Sequence, residues 1–85
     1  MIQRMSDFEQ LLTCKRQILE YLKLQGKTNC RVVQMILNAS AGQYSDRVFE
    51  DLKRWGYVEV GRDAMTQITQ TGLKLLEDQG YWEVK

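Results

Sequence analysis

Proline and histidine are both absent from the 85 residues, and cysteine occurs only twice. Without proline the chain lacks the residue that most firmly breaks helices, which suits helices joined by short turns. Without histidine it lacks the commonest general base near neutral pH and a favoured metal ligand. Cys14 and Cys30 do not have the paired spacing of a zinc site. No cofactor, metal or catalytic constellation is indicated, so the expectation is a protein that is not an enzyme. No apolar run approaches the ~20 residues of a membrane span, and the segment MIQRMSDFEQ has no apolar signal core. The expected location is the cytoplasm, with both thiols reduced and acting as small hydrophobes.

A large excess of either charge is also missing, since the formal net charge is +1. A strongly basic chain would by itself suggest a nucleic-acid partner; here the distribution is more informative. From Lys15 to Arg31 five bases face one acid, a local +4, whereas from Val32 to Lys85 six bases face eight acids. With 44% hydrophobic and 27% charged residues, the chain has the composition of one folded domain spanning 1–85.

Ser6 and Glu9 have capping-box spacing, and Phe8, Leu11, Leu12, Ile18, Leu19 and Leu22 recur at helical intervals before Gly26. A first helix is expected over 6–25. Thr28 or Asn29 can cap a second over 29–38, carrying Val32, Val33, Ile36 and Leu37. The small residues of NASAG form a turn. Ser40 and Gln43 again have capping-box spacing, so a third helix is expected from Ser40, with Val48, Phe49, Leu52 and Trp55 on its apolar face and Gly56 as its stop. YVEV and MTQIT flank the turn GRDA and predict a β-hairpin over 57–69. Thr69 or Thr71 then caps a fourth helix that ends at Gly80, followed by YWEVK.

VFEDLKRWGYVEV resembles the third helix and first wing strand of winged helix-turn-helix regulators of the MarR and ArsR kind, with Phe49, Leu52, Gly56, Tyr57 and Val58 in the patterned places. ITQTGLKLLE is similar to the end of the second wing strand and the helix after it, through Ile68, Thr69, Gly72, Leu75 and Leu76. The similarity covers residues 15–80. It implies an α+β, mostly helical winged-helix fold, with an N-terminal helical extension and an aromatic tail around the core. The expected function is sequence-specific binding of double-stranded DNA by a small homodimeric transcriptional regulator.

In such a fold the third helix enters the major groove and the wing reaches the backbone. The similarity therefore assigns base readout to Gln43, Tyr44 and Arg47, and phosphate contacts to Lys27, Thr28, Asn29, Arg31 and Arg62. Phe8, Leu11, Leu12, Tyr81 and Trp82 lie outside the minimal pattern and are the expected dimer contacts. Two features point elsewhere. The third helix sets Asp46, Glu50 and Asp51 against Arg47, Lys53 and Arg54, and the wing turn holds Arg62 beside Asp63. A winged helix that contacts proteins as an adaptor or inhibitor, without DNA, is the alternative these features favour.

Overall fold

The fold is described by a computed structural model covering residues 7–83, with side chains from Glu9 onward. The element order is α1 (Asp7–Gln25), β1 (Thr28–Asn29), α2 (Cys30–Ala41), α3 (Ser45–Arg54), β2 (Val58–Val60), β3 (Met65–Ile68), α4 (Gln70–Glu77) and α5 (Gln79–Trp82). The chain is α+β and mostly helical, with one small antiparallel sheet in the order β1-β3-β2. The expected first helix is present, but Ser6 of its capping box lies outside the described residues.

The core forms where three helical stripes meet. Cys14, Ile18, Leu19 and Leu22 of α1 pack with Val33, Leu37 and Ala41 of α2 and with Val48, Phe49 and Leu52 of α3. Val58 of β2 and Leu75 of α4 complete the cluster. Cys14 is buried and Cys30 half-buried, both as free thiols. The Cys14 thiol donates to the Ser40 carbonyl at 3.2 Å, tying α1 to the end of α2.

The boundary between α2 and α3 departs from expectation. α2 runs through NASA to Ala41, a 3-10 turn over Gly42–Tyr44 follows, and α3 starts at Ser45. Ser40 therefore caps nothing; its hydroxyl donates to the Ile36 carbonyl at 3.0 Å from inside α2. The extension has a packing cause, because Ala41 is buried and helix is the conformation that puts it there. The stop is Gly42, at φ 55, whose N–H closes on the Asn38 carbonyl.

Trp55 is not on the apolar face. It follows the last residue of α3, where the chain turns into Gly56 at φ 76, and it is 64% exposed. The hairpin is present and is extended by β1, whose two residues are too few for periodicity to reveal. Thr28 pairs with Thr66 and Asn29 with Met65, while β2 pairs with the other edge of β3 through Val58–Ile68 and Val60–Thr66. Thr69 caps α4, as one of the two expected threonines: its hydroxyl oxygen accepts from the Gly72 N–H at 3.1 Å and donates to the Gly56 carbonyl at 2.5 Å. α4 stops at Glu77 rather than Gly80, because Asp78 starts a new turn by accepting from the Tyr81 N–H.

Candidate nucleic-acid interface

Helix α3 buries Ser45, Val48, Phe49 and Leu52. At about 100° per residue, the side facing away from them carries Arg47, Glu50 and Arg54, all exposed. Two of the three acids on this helix are already engaged. Asp46 accepts from the Gln34 amide of α2 at 3.0 Å, and the same amide reaches Asn38 at 3.0 Å and Ser45 at 3.3 Å. Ser45 in turn donates to Asn38 at 2.6 Å. This polar cluster links α2 to the start of α3. Glu50 pairs with Lys53 at 2.8 Å, and that hydrogen bond and charge draw its carboxyl below its ordinary value of 4.5. At neutral pH the pair cancels.

Arg47 and Arg54 are left without an ion-pair partner among the described residues. Seven residues separate them, two helical turns or ~10.5 Å along the axis. Arg54 was missed as a site residue by sequence reasoning, although its position two turns beyond Arg47 on one face is legible once the helix start is known.

The other expected readout residues divide. Gln43 is exposed in the 3-10 turn. Tyr44 is half-buried and packs on the core, so its ring is largely spent on the fold.

The expected phosphate site at the start of α2 needs correction. Thr28 is buried, at 8% exposure, and its hydroxyl donates to the Gly26 carbonyl at 3.2 Å. The N–H groups of that helix start are also used: Cys30 donates to the Ala64 carbonyl at 2.8 Å, and Arg31 to the Asn29 side chain at 2.8 Å. An anion there would have to displace protein acceptors, so the helix end is no open phosphate cradle. The side chains of Lys27, Asn29 and Arg31 are nevertheless exposed. The β1–β3 pairing and the Cys30–Ala64 bond bring this segment against the Gly61–Ala64 turn that holds Arg62. Asp63 in that turn is engaged by the Met65 N–H at 3.1 Å. Arg31 and Arg62 thus share the turn end of the sheet, whereas the register carries Lys27 toward Gln67, away from that turn.

Of the expected dimer contacts, Leu11, Leu12 and Tyr81 line one groove, whereas Trp82 is turned away from it. Leu12 is buried, at 8% exposure, and Trp82 is turned onto its own chain: the indole N–H donates to the Leu75 carbonyl at 2.9 Å, and the Arg16 guanidinium lies 6.0 Å from the ring centre. Leu11 is half-buried and Tyr81 exposed at 36%; the Phe8 side chain lies outside those described. Burial, with the negative charge of Asp51 and the nearby Tyr57, raises the Tyr81 phenol above its ordinary value of 10.0.

No family model matches the chain, and neither a curated protein nor a solved structure is significantly similar to it. Among the described residues no helix is long and apolar enough to cross a membrane, and no cluster of potential metal ligands occurs.

Proposed function

We propose that this chain is a winged-helix protein that binds double-stranded DNA, with α3 in the major groove and the β2–β3 hairpin as the wing. The observation that carries this is the outer face of α3. It carries Arg47 and Arg54, each without an ion-pair partner among the described residues, with Glu50 between them paired to Lys53; the charges of Asp46, bonded to the Gln34 amide, and of Asp51 lie to either side of it. The order of helices and strands, with β3 between β1 and β2, supports the same reading. Arg47 suits a bidentate contact to guanine and Gln43 one to adenine. Arg54, Lys27, Arg31 and Arg62 would hold phosphates, which position the protein without reading sequence. One copy engages few phosphates, so pairing of two copies on a two-fold site would strengthen binding, as expected of a small regulator.

The test is fluorescence anisotropy of a labelled mixed-sequence duplex at low and moderate salt. Binding that weakens steeply with salt is expected, each phosphate contact adding about −0.9 to the logarithmic slope. Arg31→Ala should weaken all duplexes alike and flatten that slope by about 1, whereas Arg47→Ala should relax base preference at one position. Absence of binding at low salt would refute the DNA function.

A winged-helix surface for another protein, acting as adaptor or inhibitor, is favoured by different residues. Leu24, Met35 and Trp55 are 80%, 69% and 64% exposed. A protein that ignores DNA but loses a partner on Met35→Ser or Trp55→Ser would have this function instead.

A further inference from the structure

A groove of about 510 Å³ runs between α1, α3 and α5. Leu11, Leu12 and Val48 line it with aliphatic carbon, and Tyr81 stands at its side. Lys15 and Arg47 sit at its rim, each without an ion-pair partner among the described residues. Asp51 is the one acid lining it. The volume lies within the range of small-ligand sites, which are mostly apolar with a few convergent polar groups.

Charge and shape together select a class of ligand. Two cations against one carboxylate leave the rim with a single net positive charge, matched to a monoanion. A compact dianion would meet repulsion from Asp51 and gain nothing from the aliphatic floor. A neutral hydrocarbon would leave both cations unused. We propose that the groove binds an aliphatic monocarboxylate, its head held between Lys15 and Arg47 and its chain laid along Leu11, Leu12 and Val48. Arg47 is well suited to the head, since its planar fork can grip both carboxylate oxygens. The groove does not depend on the DNA reading, but both readings use the Arg47 guanidinium, so a bound carboxylate and a guanine contact at Arg47 would exclude each other.

The experiment is titration of the full, isotope-labelled chain with octanoate, followed by amide proton–nitrogen correlation spectra, with octylammonium as the charge-reversed control. Octanoate is expected to give saturable shifts centred on Leu11, Lys15, Arg47, Asp51 and Tyr81, with a dissociation constant on the order of 1 mM for so small a ligand. Octylammonium is expected to give none there. Lys15→Gln and Arg47→Gln should each weaken octanoate about threefold or more; both positions are at the surface, so their spectra should otherwise overlay that of the native chain. Equal response to octylammonium, octanoate affinity unchanged in both variants, or absence of groove shifts at about 10 mM octanoate, well above the expected constant, would overturn the assignment. So would groove shifts that appear on raising protein concentration alone, which would identify the occupant as a second copy.

Discussion

Thr66 and Gly72 illustrate how single atoms matter in so small a core. Thr66 lies in the central strand, fully buried, and its hydroxyl has no hydrogen-bond partner among the described residues. Leaving a polar group dry and unpaired costs on the order of 1–3 kcal/mol, so Thr66→Val, which keeps the shape, should raise stability by about 1 kcal/mol. Urea denaturation checks this, and a loss of stability would mean that the hydroxyl is satisfied. At Gly72 a Cβ would stand 2.2 Å from the Tyr57 carbonyl oxygen and 2.7 Å from Ile68 Cγ1. That carbonyl is backbone and already accepts the Thr69 N–H at 3.0 Å, so it has little freedom to retreat. Alanine would bring a helix-propensity gain of about 1 kcal/mol, but overpacking costs about 1–3 kcal/mol. Gly72→Ala should therefore destabilise by up to about 2 kcal/mol net. Gly72 was legible in the sequence as part of a pattern, but its reason was not, because the clash comes from a residue fifteen positions earlier in the chain.

Among the elements, α3 departs most from its composition. Counting charges along it gives a neutral helix, yet its acids and bases do not face the same way or have the same partners. Asp46 turns to α2, Glu50 to Lys53, and Arg47 and Arg54 remain outward, while Asp51 lies to the side, in the groove it shares with Arg47. If α3 meets phosphates, Glu50→Gln should tighten mixed-sequence duplex binding and steepen its salt slope by up to about 1, by releasing Lys53. An unchanged slope would place Lys53 away from DNA. Acid should act in the same direction. The Glu50 carboxyl lies below its ordinary value of 4.5 because of Lys53, so any stability the pair lends is present above that value and is lost as pH falls through the lowered one. The helix start was misjudged for a related reason: Ser40 and Gln43 satisfy the local capping pattern, but burial of Ala41 kept α2 going.

For the whole molecule, α5 helps close the fold. Trp82 lies over α1 near Arg16 and bonds back to Leu75, which fastens α5 against the first helix. Trp82→Ala should cost about 2 kcal/mol, less than the 3–5 kcal/mol of a fully buried aromatic because this ring is only half-buried. A denaturation midpoint that does not move would mean that α5 adds no stability. At the other end of the sheet, two residues of β1 join α2 to the hairpin and draw Arg31 toward Arg62.

By itself the sequence determined the elements whose signals are local: the long first helix, the apolar stripes of the second and third, Gly26 and Gly56 at positive φ, the hairpin and the Thr69 cap. These follow from side-chain period, backbone freedom and short-range hydrogen bonding, which neighbouring residues settle between themselves. Tertiary structure alone decided the length of α2, the existence of β1, the exposure of Trp55, the inward turn of Trp82 and the loss of Thr28 from the candidate phosphate contacts. Each depends on which distant group arrives to cover a side chain or accept a hydrogen bond, and packing of the whole chain sets that. The charge on α3 belongs to both levels: its residues are written in the sequence, but where each acid turns is settled by the Gln34 amide, which holds Asp46 toward α2, and by Lys53, which pairs with Glu50.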